Sequence, residues 1–403
     1  MKFDFTTILD RKGHDAIAYD GVGRKKWGIE PNPPKDGYEF IPMWVADMCF
    51  ATAPAVIRQM KERLNYPTFG YFEASKEYEQ AIIDWHKCQH QTEILTAQDI
   101  GYENGMHGLV NSVIELLTQK GDAVLLNSPY YVAFRGDVKH KGRECIFSEL
   151  YLDQDGIYRM DYEDMDRKIK KHNIHLAIFC SPHNPTGRVW TKEELERAMK
   201  VFEDNDCYVL SDEIWADLVF EEHRHIPTQQ VNDWTREHVI AGYAPSKTFN
   251  LAGLIGSYHI IYNRELRERL RRYEATLSYN EMNVMSMHAL IGAYSKEGAQ
   301  WKDELMTVLE GNCRYAASFI KEQITGVNTS MPEGTYMMFL DCSEYCKKTG
   351  RSIEEVIKAG WDYGIGWEDG RLFGGACHIR INLALPHALE VEAFQRMKEL
   401  VFV

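Results

Sequence analysis

Alternation constrains this chain more than any other feature. Short apolar runs recur through its middle: Asp122–Leu126 (DAVLL), Ile174–Cys180 (IHLAIFC), Cys207–Leu210 (CYVL), His238–Tyr243 (HVIAGY) and Gly256–Ile261 (GSYHII). They read as buried strands. Helical patterns separate them. Thr191–Asp204 opens on a capping box, with Thr191 as N-cap and Glu194 three residues on. Gly105–Gln119 carries another helical pattern, ended by Gly121-Asp122. Such alternation predicts an α/β fold: a mostly parallel sheet with helices on both faces.

The last third is patterned differently. Long helical patterns over Arg264–Tyr273 and Trp301–Gln323 precede the run Thr335–Asp341 (TYMMFLD). A second capping box follows at Ser352 and Glu355, then His378–Leu383 (HIRINL) and a final helix near Ala388–Val401. This order predicts a smaller α+β domain. The expected organisation is an N-terminal arm over 1–45 packing on the small domain, a large domain over 46–285 and the small domain over 286–403.

A length of 403 residues, 44% of them hydrophobic, is ample for such a core. The net charge of −14 disfavours nucleic acid and anionic membrane as partners. No apolar run is long enough to span a bilayer, and MKFDFTTILDRKGHD lacks the apolar core of a signal peptide. The nine cysteines are scattered without a C-x-x-C pair. Neither a metal site nor a disulfide framework is expected; reduced thiols in a cytoplasmic protein are.

Ligands in open α/β sheets bind beyond the C-terminal ends of the strands. After IHLAIFC comes Ser181-Pro182-His183-Asn184-Pro185-Thr186-Gly187-Arg188. After CYVL comes Ser211-Asp212-Glu213-Ile214-Trp215, and after HVIAGY comes Ala244-Pro245-Ser246-Lys247. Asn104-Gly105-Met106-His107 opens the first helical pattern. An amide, a carboxylate, a lysine and a glycine-opened helix N-terminus therefore converge on one edge. Each has a structural alternative. Asp212 suits a helix N-cap, Asn184-Pro185 a turn, and Lys247 a surface loop. Together, at successive strand ends, they point to a site.

NPTGR at 184–188, SDEIWADL at 211–218 and SKTFNLAGL at 246–254 resemble the signatures of fold-type I pyridoxal-phosphate (PLP) enzymes, the aspartate aminotransferase superfamily. Within it, Ile41–Phe50 (IPMWVADMCF), Ala244–Leu254 (APSKTFNLAGL), Glu333–Asp341 (EGTYMMFLD) and His378–Ala384 (HIRINLA) resemble the branch of cystathionine β-lyases and related C–S lyases. The likeness runs over nearly the whole chain.

The resemblance implies roles. Lys247 would hold PLP covalently and, once freed, take the substrate Cα proton; an amine in a dry pocket titrates low enough for both. Asp212 would pair with the pyridine nitrogen. Asn184 would bond the ring hydroxyl oxygen and border the substrate. The N–H groups of Met106 and His107, at the helix opened by Gly105, would cradle the phosphate together with Ser246. Tyr131, rather than Tyr130, would stack on the ring. Trp215 would stand beside the cofactor. Arg380 would clamp the substrate carboxylate with its planar fork. Tyr71, in Phe69-Gly70-Tyr71, would reach the phosphate of a neighbouring subunit, which implies a homodimer with shared sites.

Several positions depart from the family pattern. Cys49 replaces an aspartate, HDAIAYD occupies 14–20, Trp215 replaces a tyrosine or histidine, and Trp367-Glu368 fills a loop that more often holds small residues. All are expected near the substrate mouth. The reaction implied is β-elimination from cystathionine or a cysteine S-conjugate, giving thiol, pyruvate and ammonia. The alternatives are a class I/II aminotransferase, and a regulatory or binding role alongside a retained PLP site. The other polar features have plain readings. His107 and His183 read as structural or pocket-lining, His223-Arg224-His225 as a solvated loop, and Glu193–Glu196 as an exposed helix face.

Overall fold

The computed structural model describes every residue except Trp27, Ser278 and Tyr279. The main sheet consists of β1 (Ile100–Glu103), β2 (Ala123–Ser128), β3 (Glu144–Glu149), β4 (Leu176–Cys180), β5 (Tyr208–Asp212), β6 (Val239–Tyr243) and β7 (Ser257–Ile260). Their order is β1-β7-β6-β5-β4-β2-β3. Strands β2 to β6 pair in parallel, whereas β7 is antiparallel to both its neighbours. The sheet is mostly parallel, as the alternation predicts, and of the seven-stranded type that the family resemblance implies.

Side-chain parity builds the two covered faces. Leu125, Ala177, Phe179 and Val209 enter one core cluster, and Val124, Leu126, Leu176, Ile178 and Leu210 the other. Alternate residues of a strand point to opposite faces, so continuous apolar runs need helices on both. Helix α1 (Met106–Leu117) contributes Leu109, Val110 and Val113 to the second cluster. Helix α2 (Lys192–Asp204) contributes Leu195, Ala198 and Met199 to the first. The capping box at Thr191 and Glu194 is made in both directions. Helix α3 (Arg264–Glu274) follows β7.

A second sheet joins β8 (Asn328–Thr329), β9 (Met337–Asp341), β10 (Glu368–Asp369) and β11 (His378–Asn382) in the antiparallel order β8-β9-β11-β10. Helix α4 (Lys296–Gln323) starts earlier than the apolar pattern suggests, because Ser295 caps it by accepting from the Gly298 N–H at 3.1 Å. The box at Ser352 and Glu355 caps α5 (Ile353–Asp362). The last helix, α6 (His387–Arg396), ends in a π-helical turn over Met397–Val401.

One short stretch of the N-terminal segment pairs with the chain between α5 and β10. Ile41–Pro42 pairs in parallel with Ile365–Gly366, and Trp44 Nε1 donates to Ala18 O at 3.0 Å. Phe5 packs edge-on against Phe50 with centroids 5.4 Å apart. No helix among the described residues is long and apolar enough to cross a membrane. All nine cysteines are free thiols.

Candidate active site

A cavity of about 630 Å³ opens at the C-terminal edge of the main sheet. Its wall includes Lys247, Tyr131, Asn250, Glu368 and Arg380, with Arg11, Asp15 and Asp47 from the N-terminal part of the chain. Residues distant in sequence meet there because the strands of a parallel sheet end on one edge.

Lys247 follows β6. Its Nζ donates to Ala46 O at 3.1 Å and lies 5.7 Å from the centre of the Trp215 ring. Burial, reinforced by the Arg380 guanidinium, pushes its amine down to about 8. Trp215 is buried beneath it and packs edge-on against Tyr336 at 4.7 Å. Thr248, the next residue, donates to Asp217 Oδ2 at 2.9 Å. Asp217 is itself fixed by Trp85 Nε1 at 2.9 Å and His90 Nε2 at 3.1 Å.

Asp212 ends β5 and is buried. It accepts from the Ile214 N–H at 3.1 Å, and burial raises its carboxyl to about 6. Its neighbour Glu213 faces a separate network. There it accepts from His225 Nε2 and Tyr243 Oη, both at 2.7 Å, and from the Thr228 N–H at 3.0 Å. Against its burial, these partners hold the Glu213 carboxyl down to about 2.

Arg380, on β11, is 3% exposed. It donates to Asn184 Oδ1 at 3.2 Å and to Trp44 O at 2.9 Å, and it pairs with Glu368 on β10. The Phe373 ring lies 4.2 Å from the guanidinium carbon. Its Nε has no hydrogen-bond partner. Asn184 is buried as well, so Arg380 brings the turn after β4 and the second sheet to one point.

Gly105 opens α1 at φ +79°, a conformation glycine adopts without strain. The first turn sits close on β6: a Cβ at Gly242 would come within 2.5 Å of Met106 Sδ. His107 bonds Asp137 at 2.9 Å, and its ring lies 6.1 Å from that of Tyr131. Burial pushes the Tyr131 hydroxyl up to about 12. Tyr130 instead stacks on Phe147 at 4.7 Å, so Tyr131 is the tyrosine on the cavity wall. Ser246 is half-buried beside Lys247. Tyr71 is fully exposed and does not line this chain's own cavity.

Four expectations are corrected. Trp367 is completely buried and donates to Ile357 O at 3.1 Å, so it serves the core; adjacent Glu368 points the other way, into the cavity. Cys49 is buried behind the wall, 3.7 Å from Arg11 Nη1, rather than on the mouth. His225 is not solvated, because the buried Glu213 carboxylate draws it in. Glu194 turns inward to pair with Arg188 and Arg159, while Glu193 and Glu196 stay exposed.

Sequence reasoning missed Ala46 O, Asp47, Asn250 and Tyr336. Asn250 sits at φ +57° and exchanges hydrogen bonds with the Met48 main chain, both at 3.0 Å. Their signal lay in the matched stretches around 41–50, 246–254 and 333–341, where attention fell on side chains of obvious chemistry.

The family model for aminotransferase class I and II matches residues 39–394. Cystathionine beta-lyase PatB of Bacillus subtilis (strain 168) is 30% identical over 400 residues, covering 98% of this chain and 99% of that protein. Cystalysin from Treponema denticola, whose structure contains a PLP cofactor, superposes with a TM-score of 0.90 at 30% identity, over 99% of this chain and 98% of that one. The PLP-bound C-S lyase from Staphylococcus hominis gives 0.87 at 30% identity, over 98% of each chain.

Proposed function

The chain belongs to the aminotransferase class I and II family, and on that premise we propose that it is a PLP-dependent lyase acting on a sulfur-containing L-amino acid. The substrate class is cystathionine or a cysteine S-conjugate; with one water it yields a thiol, pyruvate and ammonia. The observation that carries the reading is the Lys247 amine, held in a cavity between the ends of the main sheet and Arg380. Lyase relatives matching almost the whole chain support elimination over transamination.

The residues present fit the cofactor. Lys247 offers an amine lowered to about 8, Asp212 a buried carboxylate for a ring cation, and Arg380 a free Nε. Gly105, Met106 and His107 open a helix whose N-terminal amides suit a phosphate, with Ser246 beside Lys247. Tyr131 and Trp215 supply aromatic walls, and Asn184 an amide. When bound, PLP supplies an electron sink for negative charge at the substrate Cα.

The chain's own groups do the rest. Arg380, steadied by Asn184 and the Trp44 carbonyl, grips the substrate carboxylate and fixes which Cα bond faces Lys247. Lys247 accepts the Cα proton at Nζ. The Cβ–S electron pair leaves with sulfur, and the proton on Lys247 can follow it to give the thiol. Asp212 would pair with the ring nitrogen and hold a proton on it. Lys247 comes from the proposed large domain (46–285) and Arg380 from the small domain (286–403), so the site lies where they meet. The fully exposed Tyr71 supports a homodimer in which it completes the partner's phosphate site. Nine free thiols support a reducing, cytoplasmic setting.

Comparing substrates tests the reading. The PLP-loaded protein should release pyruvate from cysteine S-conjugates and leave L-alanine, which has no leaving group, unconsumed even with a keto acid present. Turnover of L-alanine that depends on the keto acid would make it an aminotransferase instead.

A further inference from the structure

Three metal-ligating side chains converge at the edge of the main sheet, outside the cavity. Glu103 ends β1, His259 lies on β7 and Glu274 closes α3. The register sets Glu103 opposite Ser257 and His259 opposite Gly101, so carboxylate and imidazole are diagonal neighbours on one face. Gly101 makes room for the ring, since a Cβ there would stand 2.2 Å from His259 Cε1. One ligand atom from each of the three residues lies within 4.8 Å of the others.

Glu103 and His259 are 0% and 1% exposed. His259 Nδ1 and Glu103 Oε1 meet at 2.6 Å, which occupies one atom of each. Glu103 Oε2, His259 Nε2 and Glu274 Oε1 have no hydrogen-bond partner. Unsatisfied polar atoms are costly in a protein interior, and three in one cluster call for a further partner. The neighbouring cations are engaged elsewhere: Arg267 pairs with Asp99, and Arg271 donates to Gln98 O and Ile100 O.

We propose that Glu103, His259 and Glu274 bind one divalent transition-metal ion of borderline softness, for which zinc(II) is the probe. Two carboxylates and an imidazole are a natural donor set for such an ion, with water as the fourth ligand. Tetrahedral bonds of about 2.1 Å set ligand atoms about 3.4 Å apart, a contraction that small side-chain rotations supply. The ion ties the end of β1 to α3, two residues before the glycine that opens α1. It braces the helix N-terminus proposed to hold phosphate. The competing occupant is a proton shared between Glu103 and Glu274.

The experiment uses the full-length, PLP-loaded protein. Chelator-treated enzyme is equilibrated with zinc(II), freed of excess by gel filtration and analysed for metal and thermal midpoint. The wild type should retain about one zinc per chain and melt at a higher temperature than the stripped protein. Glu274→Gln and His259→Gln should each bind zinc at least about tenfold more weakly and lose the shift. Glu274 is only half-buried, so its isosteric variant carries the test should His259→Gln fail to fold. No zinc on the wild type would mean a shared proton and overturn the site. Equal retention by wild type and Glu274→Gln would place the metal on thiols and overturn it too.

Discussion

The amine of Lys247 and the hydroxyl of Tyr336 donate to the same main-chain oxygen, that of Ala46, each at 3.1 Å. One carbonyl thus fixes the lysine from the main sheet against a tyrosine that precedes β9.

Replacing Lys247 with alanine should lower sustained lyase turnover by at least about 10³-fold, because nucleophile and proton carrier are the same atom. Borohydride reduction followed by mass spectrometry checks the attachment. The cofactor's mass should appear on the peptide holding Lys247 and be absent from the variant.

The pH dependence of cofactor capture follows from the lowered amine. A depressed value favours the neutral, nucleophilic form, so its population rises as pH passes through about 8 and levels off above. The rate of PLP incorporation into cofactor-free protein should therefore rise from about pH 6 and plateau by about pH 9. An ordinary lysine would keep gaining roughly tenfold per unit there.

Arg380→Ala should cost about 10²-fold or more in kcat/KM, and Arg380→Lys should rescue little of it, since an ammonium cannot reproduce the two-donor fork. Loss of the guanidinium also strands buried Glu368, so the variant should unfold about 3 kcal/mol more easily. Adding Glu368→Gln should restore much of that stability without restoring activity, a split read by denaturant titration beside kinetics.

Glu213→Gln should destabilise the fold by about 3 kcal/mol at neutral pH, because it removes a buried charge matched to His225, Thr228 and Tyr243. The Glu213 carboxyl is depressed to about 2 from an ordinary 4.5. Its contribution is therefore complete above the unfolded value and lost as pH falls through about 2. The gap between wild type and variant, measured by denaturant midpoint, should narrow on acidification.

The residues at strand ends were legible because parity and alternation are local properties. Asp212, Asn184 and Lys247 could be placed on one edge by counting apolar runs. Features set by pairing between remote segments were not legible. Trp367 and Glu368 are adjacent, yet one enters the core and the other the cavity, and nothing in the loop's composition says which. His225 reads as a surface histidine until the Glu213 carboxylate beside it is known. Glu103 and His259 meet across 156 positions through an antiparallel register that no apolar pattern encodes.

The measurement that bears most directly on β-elimination is the yield of pyruvate from L-cystathionine by pure, PLP-loaded protein with no keto acid present. Pyruvate, thiol and ammonia should accumulate together over many enzyme equivalents. A single turnover that stalls until a keto acid is added would contradict elimination and identify an aminotransferase.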